Sequence, residues 1–267
     1  MAESISERRK ARVSHLRWVA ISELRVNPRA QREFRTEKAA KIAADLDLEA
    51  LGYPVVNRRD GHYFIVDGQH RVAALKMIGW GDQQIQCDTL EGLNEAEEAE
   101  LFLRRDERTA ISTFEKFRIA ITAEREVETD IDRVVRAQGL TVSRATTTPG
   151  SISAVGTLRK VYVQAGPATL GRALRIIRDA YGDPGLEAPV IHGIGLLCQR
   201  YNGALDDEAA VDRLNRAHGG VNGLLGKAEA LRMRTGNQKA QCVAAAAVEL
   251  INAGRGGKKL PDWWKSE

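Results

Sequence analysis

The spacing of apolar residues in the first half of the chain predicts alternating strands and helices. Residues 16–24 alternate loosely between apolar and polar side chains, which predicts a short strand followed by a turn. A helix is expected over residues 37–50, with Thr36 as its N-cap and Gly52 just beyond its end. Its apolar residues repeat at the spacing of one helix face: Ala39, Ile42, Ala43 and Leu46.

A β-hairpin is expected after this helix. Two runs rich in strand-forming residues flank Asp60-Gly61, a pair that favours a tight hairpin turn. The second run, residues 63–66, leads into Asp67-Gly68-Gln69-His70-Arg71, and the pattern that follows predicts a helix ending near Ile78. The predicted order is therefore helix, hairpin, sharp turn and helix.

From residue 91 onward the pattern is almost entirely helical. Residues 91–108 are acid-rich and predict a helix, and Ser112 with Glu115 forms the pattern of a capping box. Residues 143–150 predict a loop, because β-branched threonines and a proline do not sustain a helix. The other helices are expected around residues 131–138, 155–162, 167–181, 189–202, 207–217, 221–233 and 240–252.

These elements indicate the fold class and the domain organisation. We expect an α+β N-terminal domain, with a small sheet and helices, followed by a mostly α-helical C-terminal region. The expected segments are a basic flexible arm (1–14), the α+β domain (15–105), a first helical region (106–165), a second helical region (166–255) and a tail (256–267).

Positive charge is concentrated in two segments. The formal net charge is only +4, from 40 Lys and Arg against 36 Asp and Glu. Residues 1–35 carry nine basic and four acidic side chains, and residues 133–178 carry eight basic side chains and no acidic one. Two basic segments in an otherwise acidic chain favour a partner rich in phosphates, and two solvated faces are the alternative.

Composition excludes several classes of protein. No apolar run is long enough to span a membrane, and the polar, basic first residues contain no secretory signal. Cys87, Cys198 and Cys242 lie far apart, which excludes a CxxC zinc site and argues against a disulfide framework. We therefore expect a cytoplasmic protein with no membrane partner and no metal site.

The turn at residues 67–71 is the most informative local feature. It joins a predicted strand to a helix N-terminus, where free backbone N–H groups and the helix dipole attract anions. Gly68 would let the backbone approach a phosphate closely. Arg71 is unfavourable in the first turn of a helix unless an anion is bound there, so the turn is either a phosphate site or a plain tight turn.

Further residues make the N-terminal domain resemble the ParB/sulfiredoxin superfamily. The matching residues are Asn27, Pro28, Gln31, Arg32, Phe34, Pro54, Gly68, His70 and Arg71. The resemblance covers about residues 16–90 and implies a site for a phosphate group or a nucleotide, either CTP or another. The site residues that it implies are Gln31, Arg32, Gly68, Gln69, His70, Arg71 and Arg108.

Departures from the family pattern exclude sulfiredoxin activity and disfavour hydrolysis and bound Mg²⁺. Gln69 stands where sulfiredoxins have the nucleophilic Cys, so sulfiredoxin activity is rejected. ParB proteins have a Glu associated with hydrolysis there, so the resemblance leaves only a weak NTPase activity open. In the second ParB motif Arg104 and Arg105 replace a Glu and an Asn that helps to hold Mg²⁺, while Glu115 is retained. Guanidinium groups do not ligate a metal, so bound Mg²⁺ is not favoured.

Residues 129–163 resemble a degenerate helix-turn-helix, with residues 151–162 similar to the recognition helix of ParB-type domains. The candidate DNA-binding residues are Arg133, Arg136, Arg144, Ser151, Ser153, Arg159 and Lys160. The whole arrangement resembles ParB-like proteins of phages and mobile elements. For residues 166–255 we expect a dimerisation role, in a homodimer or a higher oligomer.

The sequence thus favours a ParB-like DNA-binding protein with a nucleotide- or phosphate-binding N-terminal domain. A nuclease or a kinase on the same fold is the first alternative, with Asp67 and His70 as the catalytic residues, since free-serine kinases of the superfamily share the Asp-Gly-x-His-Arg turn. A factor that binds and inhibits a host protein is the second alternative.

Overall fold

The protein forms two compact units. The computed structural model describes residues 13–105, 112–145, 147–253 and 259–264, so the expected arm at residues 1–14 lies almost wholly outside the described residues. The units comprise residues 1–125 and 126–267. The first contains a sheet with helices and the second is mainly helical, which confirms the predicted fold class. The boundary after residue 125 differs from the two suggested by the sequence, after residues 105 and 165.

A five-stranded mixed sheet forms the centre of the first unit. Its strands are β1 (His15–Ala20), β2 (Leu24–Val26), β3 (Val55–Arg59), β4 (His62–Asp67) and β5 (Gln84–Glu91), in the spatial order β1-β5-β3-β4-β2. The β1/β5 and β3/β4 pairs are antiparallel, whereas the β3/β5 and β2/β4 pairs are parallel.

The predicted hairpin is confirmed, whereas β2 and β5 were not predicted. β3 and β4 pair with Arg59 opposite His62, and both turn residues have positive φ, 51° at Asp60 and 77° at Gly61. The short strand and following turn predicted over residues 16–24 are confirmed as β1 and a 3₁₀ turn at Ile21–Glu23. β5 lies between β1 and β3 and connects the edge strand β1 to the rest of the sheet.

Five described helices belong to the first unit: α1 (Thr36–Ala44), α2 (Leu48–Leu51), α3 (Gln69–Met77), α4 (Glu95–Arg105) and α5 (Thr113–Thr122). The single helix predicted over residues 37–50 is wrong, because the first helix ends at Ala44 and Asp47 caps a second one. Oδ1 of Asp47 accepts hydrogen bonds from the N–H groups of Glu49 and Ala50. The capping box of Ser112 and Glu115 is confirmed.

The sheet is covered on both faces. Successive residues of β4 show this, since Ile65 packs in one buried cluster and Val66 in another. Val72 and Leu75 of α3 belong to the first cluster. Phe102 of α4 belongs to the second, together with Ile119 of α5. The turn between β4 and α3 is therefore anchored in the core at both ends.

A buried carboxylate ties α4 to the sheet. Glu98 accepts hydrogen bonds from Nδ2 of Asn57 at 2.7 Å, Nε of Arg59 at 3.1 Å and Nδ2 of Asn27 at 3.3 Å. The carboxylate in turn raises the pKa of Arg59, chiefly through this hydrogen bond. Because the buried charge has several partners, it fixes the loop at Asn27 against both α4 and β3.

The second unit contains α6 (Glu126–Ala137), α7 (Val155–Tyr181), α8 (Ala188–Arg200), α9 (Asp207–Arg216), α10 (Gly220–Thr235) and α11 (Lys239–Asn252). A short parallel pair, β6 (Thr141–Val142) and β7 (Ser151–Ile152), flanks the predicted loop. The recognition helix predicted over residues 151–162 is therefore wrong at its start, because residues 151–152 pair as a strand. α7 is interrupted at Gly166, where φ is 82°. None of the helices described is long and apolar enough to cross a membrane.

Close packing of α8 generates a stability prediction. A Cβ atom added to Gly193 would lie 2.5 Å from Cγ1 of Val243 on α11. We expect Gly193→Ala to destabilise the protein by about 1–3 kcal/mol, because this contact overrides the helix propensity of alanine. Gly226→Ala is the matched control, since no atom lies within 4 Å of its added Cβ. Thermal unfolding followed by circular dichroism compares the two, and equal melting temperatures would contradict the prediction.

Candidate functional site

The candidate site lies at the turn from β4 into α3. Gly68 adopts the left-handed conformation with φ at 100° and caps α3. The first helical hydrogen bond joins the N–H of Val72 to the carbonyl of Gly68, so the N–H groups of Gln69 to Arg71 lie at the positive end of the helix dipole. With φ at 100° any other side chain at position 68 would strain the backbone, and its Cβ would also lie 3.0 Å from Nη2 of Arg71.

Arg71 folds back over the turn. Its Nη1 donates to the carbonyl of Leu51 at 2.6 Å, and its Nη2 forms an ion pair with Asp67 at 3.0 Å. Arg71 therefore closes the turn, with part of its charge offset by a neighbour. Asp67, the candidate catalytic base, is held in the same ion pair.

His70 is buried under the segment that precedes α1. Only 3% of the residue is exposed, its Nε2 accepts a hydrogen bond from the backbone N–H of Arg35 at 3.2 Å, and its ring stacks on Phe34 with centroids 5.3 Å apart. Burial lowers the pKa of His70 to about 4, assisted by the positive charges of Arg32, Lys38 and Arg35. His70 is therefore neutral at physiological pH.

Three cations lie near enough to the buried imidazole to lower its pKa. Arg32 was identified from the sequence, whereas Arg35 and Lys38 were missed. All three charges act on His70 in the same direction, so the potential beside the N-terminus of α3 is positive. The three-residue spacing of Arg32, Arg35 and Lys38 was a signal in the sequence, but it gained meaning only when the structure placed His70 next to them.

The two glutamines of the predicted site hold backbone. Nε2 of Gln31 donates to the carbonyls of Ile65 and Val66 at 3.0 and 2.6 Å. Nε2 of Gln69 donates to the carbonyl of Arg32 at 3.0 Å. These bonds fasten the Arg32 segment across the end of β4. The Oε1 atom of each glutamine is buried and has no hydrogen-bond partner among the described residues.

α5 supports the same segment from outside. The guanidinium of Arg118 donates to the carbonyls of Pro28, Arg29 and Gln31. Glu115 accepts a hydrogen bond from the N–H of Glu33 at 3.0 Å, in addition to its capping-box bonds. Two residues of α5 therefore help to fix where Arg32 lies.

The second ParB-like motif contains three further arginines. Arg104 and Arg105 end α4 with exposed side chains, and Arg108 lies outside the described residues. Within the described residues, no three His, Cys, Asp or Glu side chains converge on a point that could hold a metal ion.

The second basic segment has acidic neighbours in space. Carboxylates of α6 that precede the segment in sequence pair with three of its arginines: Asp130 with Arg133, Asp132 with Arg136, and Glu128 with Arg159. Asp207 pairs with Arg172 and Arg175, and Asp179 pairs with Arg178. The charge surplus counted along the sequence is therefore largely offset in the folded unit.

The other candidate DNA-binding residues are spread over three local structures. Arg144 is exposed in the loop between β6 and β7. Ser151 lies in β7 with a buried Oγ, and Ser153 is exposed just before α7. Lys160 is exposed on α7. The structure thus places these residues near the start of α7 in sequence, but not on one continuous helix.

Comparisons with solved structures return ParB from Caulobacter crescentus. A C-terminally truncated form complexed with CTP-gamma-S is 18% identical, with a TM-score of 0.29, and covers 60% of this chain and 98% of its own. A truncated form complexed to the centromeric parS site is 17% identical, with a TM-score of 0.36, and covers 86% and 98%. At these values the two structures support no conclusion on activity.

Sequence comparisons place the chain in a family. No curated protein matches it significantly. The profile of the family of unknown function DUF6551 matches residues 27–244, which include the turn at Gly68 and most of the helical unit. The chain therefore belongs to this family.

Proposed function

We propose that the protein is a ParB-like DNA-binding protein whose N-terminal unit binds a phosphorylated ligand, a nucleotide such as CTP, at the turn of residues 68–71. One observation carries the proposal: Arg32, Arg35 and Lys38 act together on a buried, neutral His70 at the N-terminus of α3. A bound phosphate would supply the opposite charge beside these side chains and would accept hydrogen bonds from backbone N–H groups in the first turn of α3.

The geometry favours binding over catalysis at this turn. Asp67 is ion-paired with Arg71, and Nε2 of His70 already accepts a backbone hydrogen bond. A general base needs a lone pair that can reach the substrate; Nε2 of His70 is already engaged, whereas Asp67 uses only Oδ2 in its ion pair. Gln69 contributes an amide that is bonded to the backbone rather than a carboxylate. A nuclease or kinase therefore stays the second candidate.

For DNA, the proposal assigns the contact to the first part of the helical unit. Arg133, Arg136 and Arg159 are mostly exposed although they are ion-paired. Exposed ion pairs contribute little to stability, so these arginines could exchange a carboxylate for a phosphate at low cost. The proposal also includes Arg144, which lies between β6 and β7, and Lys160, which follows Arg159 on α7. A homodimer or higher oligomer and a phage or mobile-element origin belong to this proposal as well.

The proposed phosphate site predicts that nucleotides stabilise the folded protein. We expect CTP, ATP or GTP at a hundredfold excess over its dissociation constant to stabilise the protein by about 2.7 kcal/mol, read as a higher melting temperature without added Mg²⁺. Arg35→Gln should reduce the rise, because it removes one of the three cations beside His70. Arg17→Gln on β1 is the control and should respond as wild type does. No shift with any nucleotide would refute the proposal.

The lowered pKa of His70 predicts how the stability of the protein depends on pH. This pKa is about 4 in the folded protein against an ordinary value of 6.5, so the unfolded chain binds more protons between these values. Stability should therefore be complete above pH 6.5 and fall as the pH drops towards 4. His70→Gln should flatten that dependence, measured by urea unfolding at several pH values, while His62→Gln at the far end of β4 should keep it.

Ligand binding should move the same proton. A phosphate beside His70 favours the imidazolium, so NMR titration of the imidazole resonances should show a higher pKa with inorganic phosphate or nucleotide than without. An unchanged His70 pKa at saturating ligand would place the ligand elsewhere.

DNA binding should depend steeply on salt. We expect the logarithm of the association constant for duplex DNA to fall linearly with the logarithm of salt concentration, with a slope that decreases by about 0.9 for each phosphate contact removed. Lys160→Gln and Arg144→Gln should each lower the slope, measured by fluorescence anisotropy between 50 and 200 mM salt. Arg232→Gln on α10 is the control, and binding that is absent or insensitive to salt would contradict this part of the proposal.

A further inference from the structure

The helical unit contains an open groove with a volume of about 760 Å³ between α6 and the second half of α7. The segment that leads into α9 bounds it on one side. Small and apolar residues line most of the surface: Val134, Ala137, Pro167, Ala168, Gly171 and Leu205. Neither the phosphate-binding turn nor the candidate DNA-binding surface accounts for this concavity.

The groove follows from the interruption of α7. Gly166 has φ at 82°, which breaks the helix, and Pro167 starts the next segment, where its ring needs no hydrogen-bond donor. Five residues later, a Cβ on Gly171 would lie 3.5 Å from Cγ1 of Val134 and 3.6 Å from Nε2 of Gln138. These are ordinary contacts, so a methyl group fits at Gly171, and a larger side chain would extend into the groove.

Three arginines stand at the rim, and they are not equivalent. Arg172 is only 16% exposed and donates to Asp207 and to the carbonyls of Asn202 and Leu205, so it holds the wall. Arg175 is 50% exposed and contacts Asp207 through Nη2 alone. One carboxylate therefore faces two guanidinium groups, and Arg175 retains donors for a further anion.

Arg133 stands on the α6 side of the same groove. Its side chain is 70% exposed, and its ion pair is with Asp130 three residues earlier on the same helix. Such an exposed pair stabilises the protein weakly and can open when a better acceptor arrives. The rim thus offers one guanidinium from each helix above an apolar floor.

We propose that this groove binds a small amphipathic organic anion, with its apolar body on the floor and its carboxylate, sulfonate or phosphate on Arg175 and Arg133. The volume lies in the range of small-molecule sites, about 300–1,000 Å³, and the combination of an apolar lining with a few charged groups is typical of them. The inference does not use the turn at Gly68, and it shares only Arg133 with the proposed DNA-binding surface, so competition by duplex DNA separates the two.

Fluorescence titration with 8-anilinonaphthalene-1-sulfonate tests the site, because this probe combines an apolar body with one anionic group. We expect Arg175→Gln to weaken binding at least about tenfold, through loss of a charge-assisted hydrogen bond. Arg232→Gln is the matched control, since Arg232 is also 50% exposed and paired on its own helix. Equal binding by the two variants would overturn the proposal.

A variant that fills the groove provides a second test. Gly171→Leu should abolish most of the probe binding by occupying the floor, while Gly171→Ala, whose methyl group fits, reports on the fold and should keep the wild-type circular dichroism spectrum. If Gly171→Leu is helical and binds the probe as wild type does, the site lies elsewhere. If Gly171→Leu fails to fold, the comparison of Arg175→Gln with Arg232→Gln decides.

Competition identifies the chemistry. Decanoate should displace the probe, whereas 1-decanol, which lacks the charge, and inorganic phosphate, which lacks the apolar body, should not do so at the same concentration. Displacement by inorganic phosphate or by duplex DNA as effective as that by decanoate would show a phosphate-binding surface instead and would overturn the proposal.

Discussion

The burial of His70 governs the N-terminal unit. Its Nε2 faces a backbone N–H, and its ring is covered by Phe34, so the side chain must stay neutral to remain where it is. Because it is neutral, it tolerates the positive charges of Arg32, Arg35 and Lys38, which lower its pKa beside a helix end that is already positive. An imidazolium in the same place would repel them. The packing of the loop over His70 therefore keeps the imidazole neutral and, for that reason, allows positive charge beside α3.

That arrangement depends on contacts that come from far along the chain. Gln31 bonds to the end of β4, Arg118 bonds to the carbonyls of residues 28–31, and Asn27 bonds to Glu98. Each bond joins a side chain to a partner at least 35 residues away. The residues that carry the family resemblance thus divide into two groups. Some shape the loop and the turn, and others supply the charge that a ligand would meet.

The helical unit illustrates how a charge count along a sequence can differ from a charge distribution in space. Residues 133–178 contain no acid, yet three carboxylates of α6 pair with arginines of this segment. Asp130 and Asp132 lie one helix turn before their partners, and Glu128 pairs with Arg159 of α7. Asp207 reaches the segment from another helix. Because Asp207 pairs with both Arg172 and Arg175, one of these two positive charges is not offset. This charge lies beside the groove at the break of α7.

The sequence by itself determined the elements whose cause is local. The hairpin turn at Asp60-Gly61, the capping box at Ser112 and the glycine turn before α3 each depend on a few adjacent residues, so their patterns were sufficient. Only the tertiary structure decided the place of β5 between β1 and β3, the burial of His70 and the pairing of the basic segment. These depend on which distant residues meet, and spacing along the chain carries no direct information about such contacts.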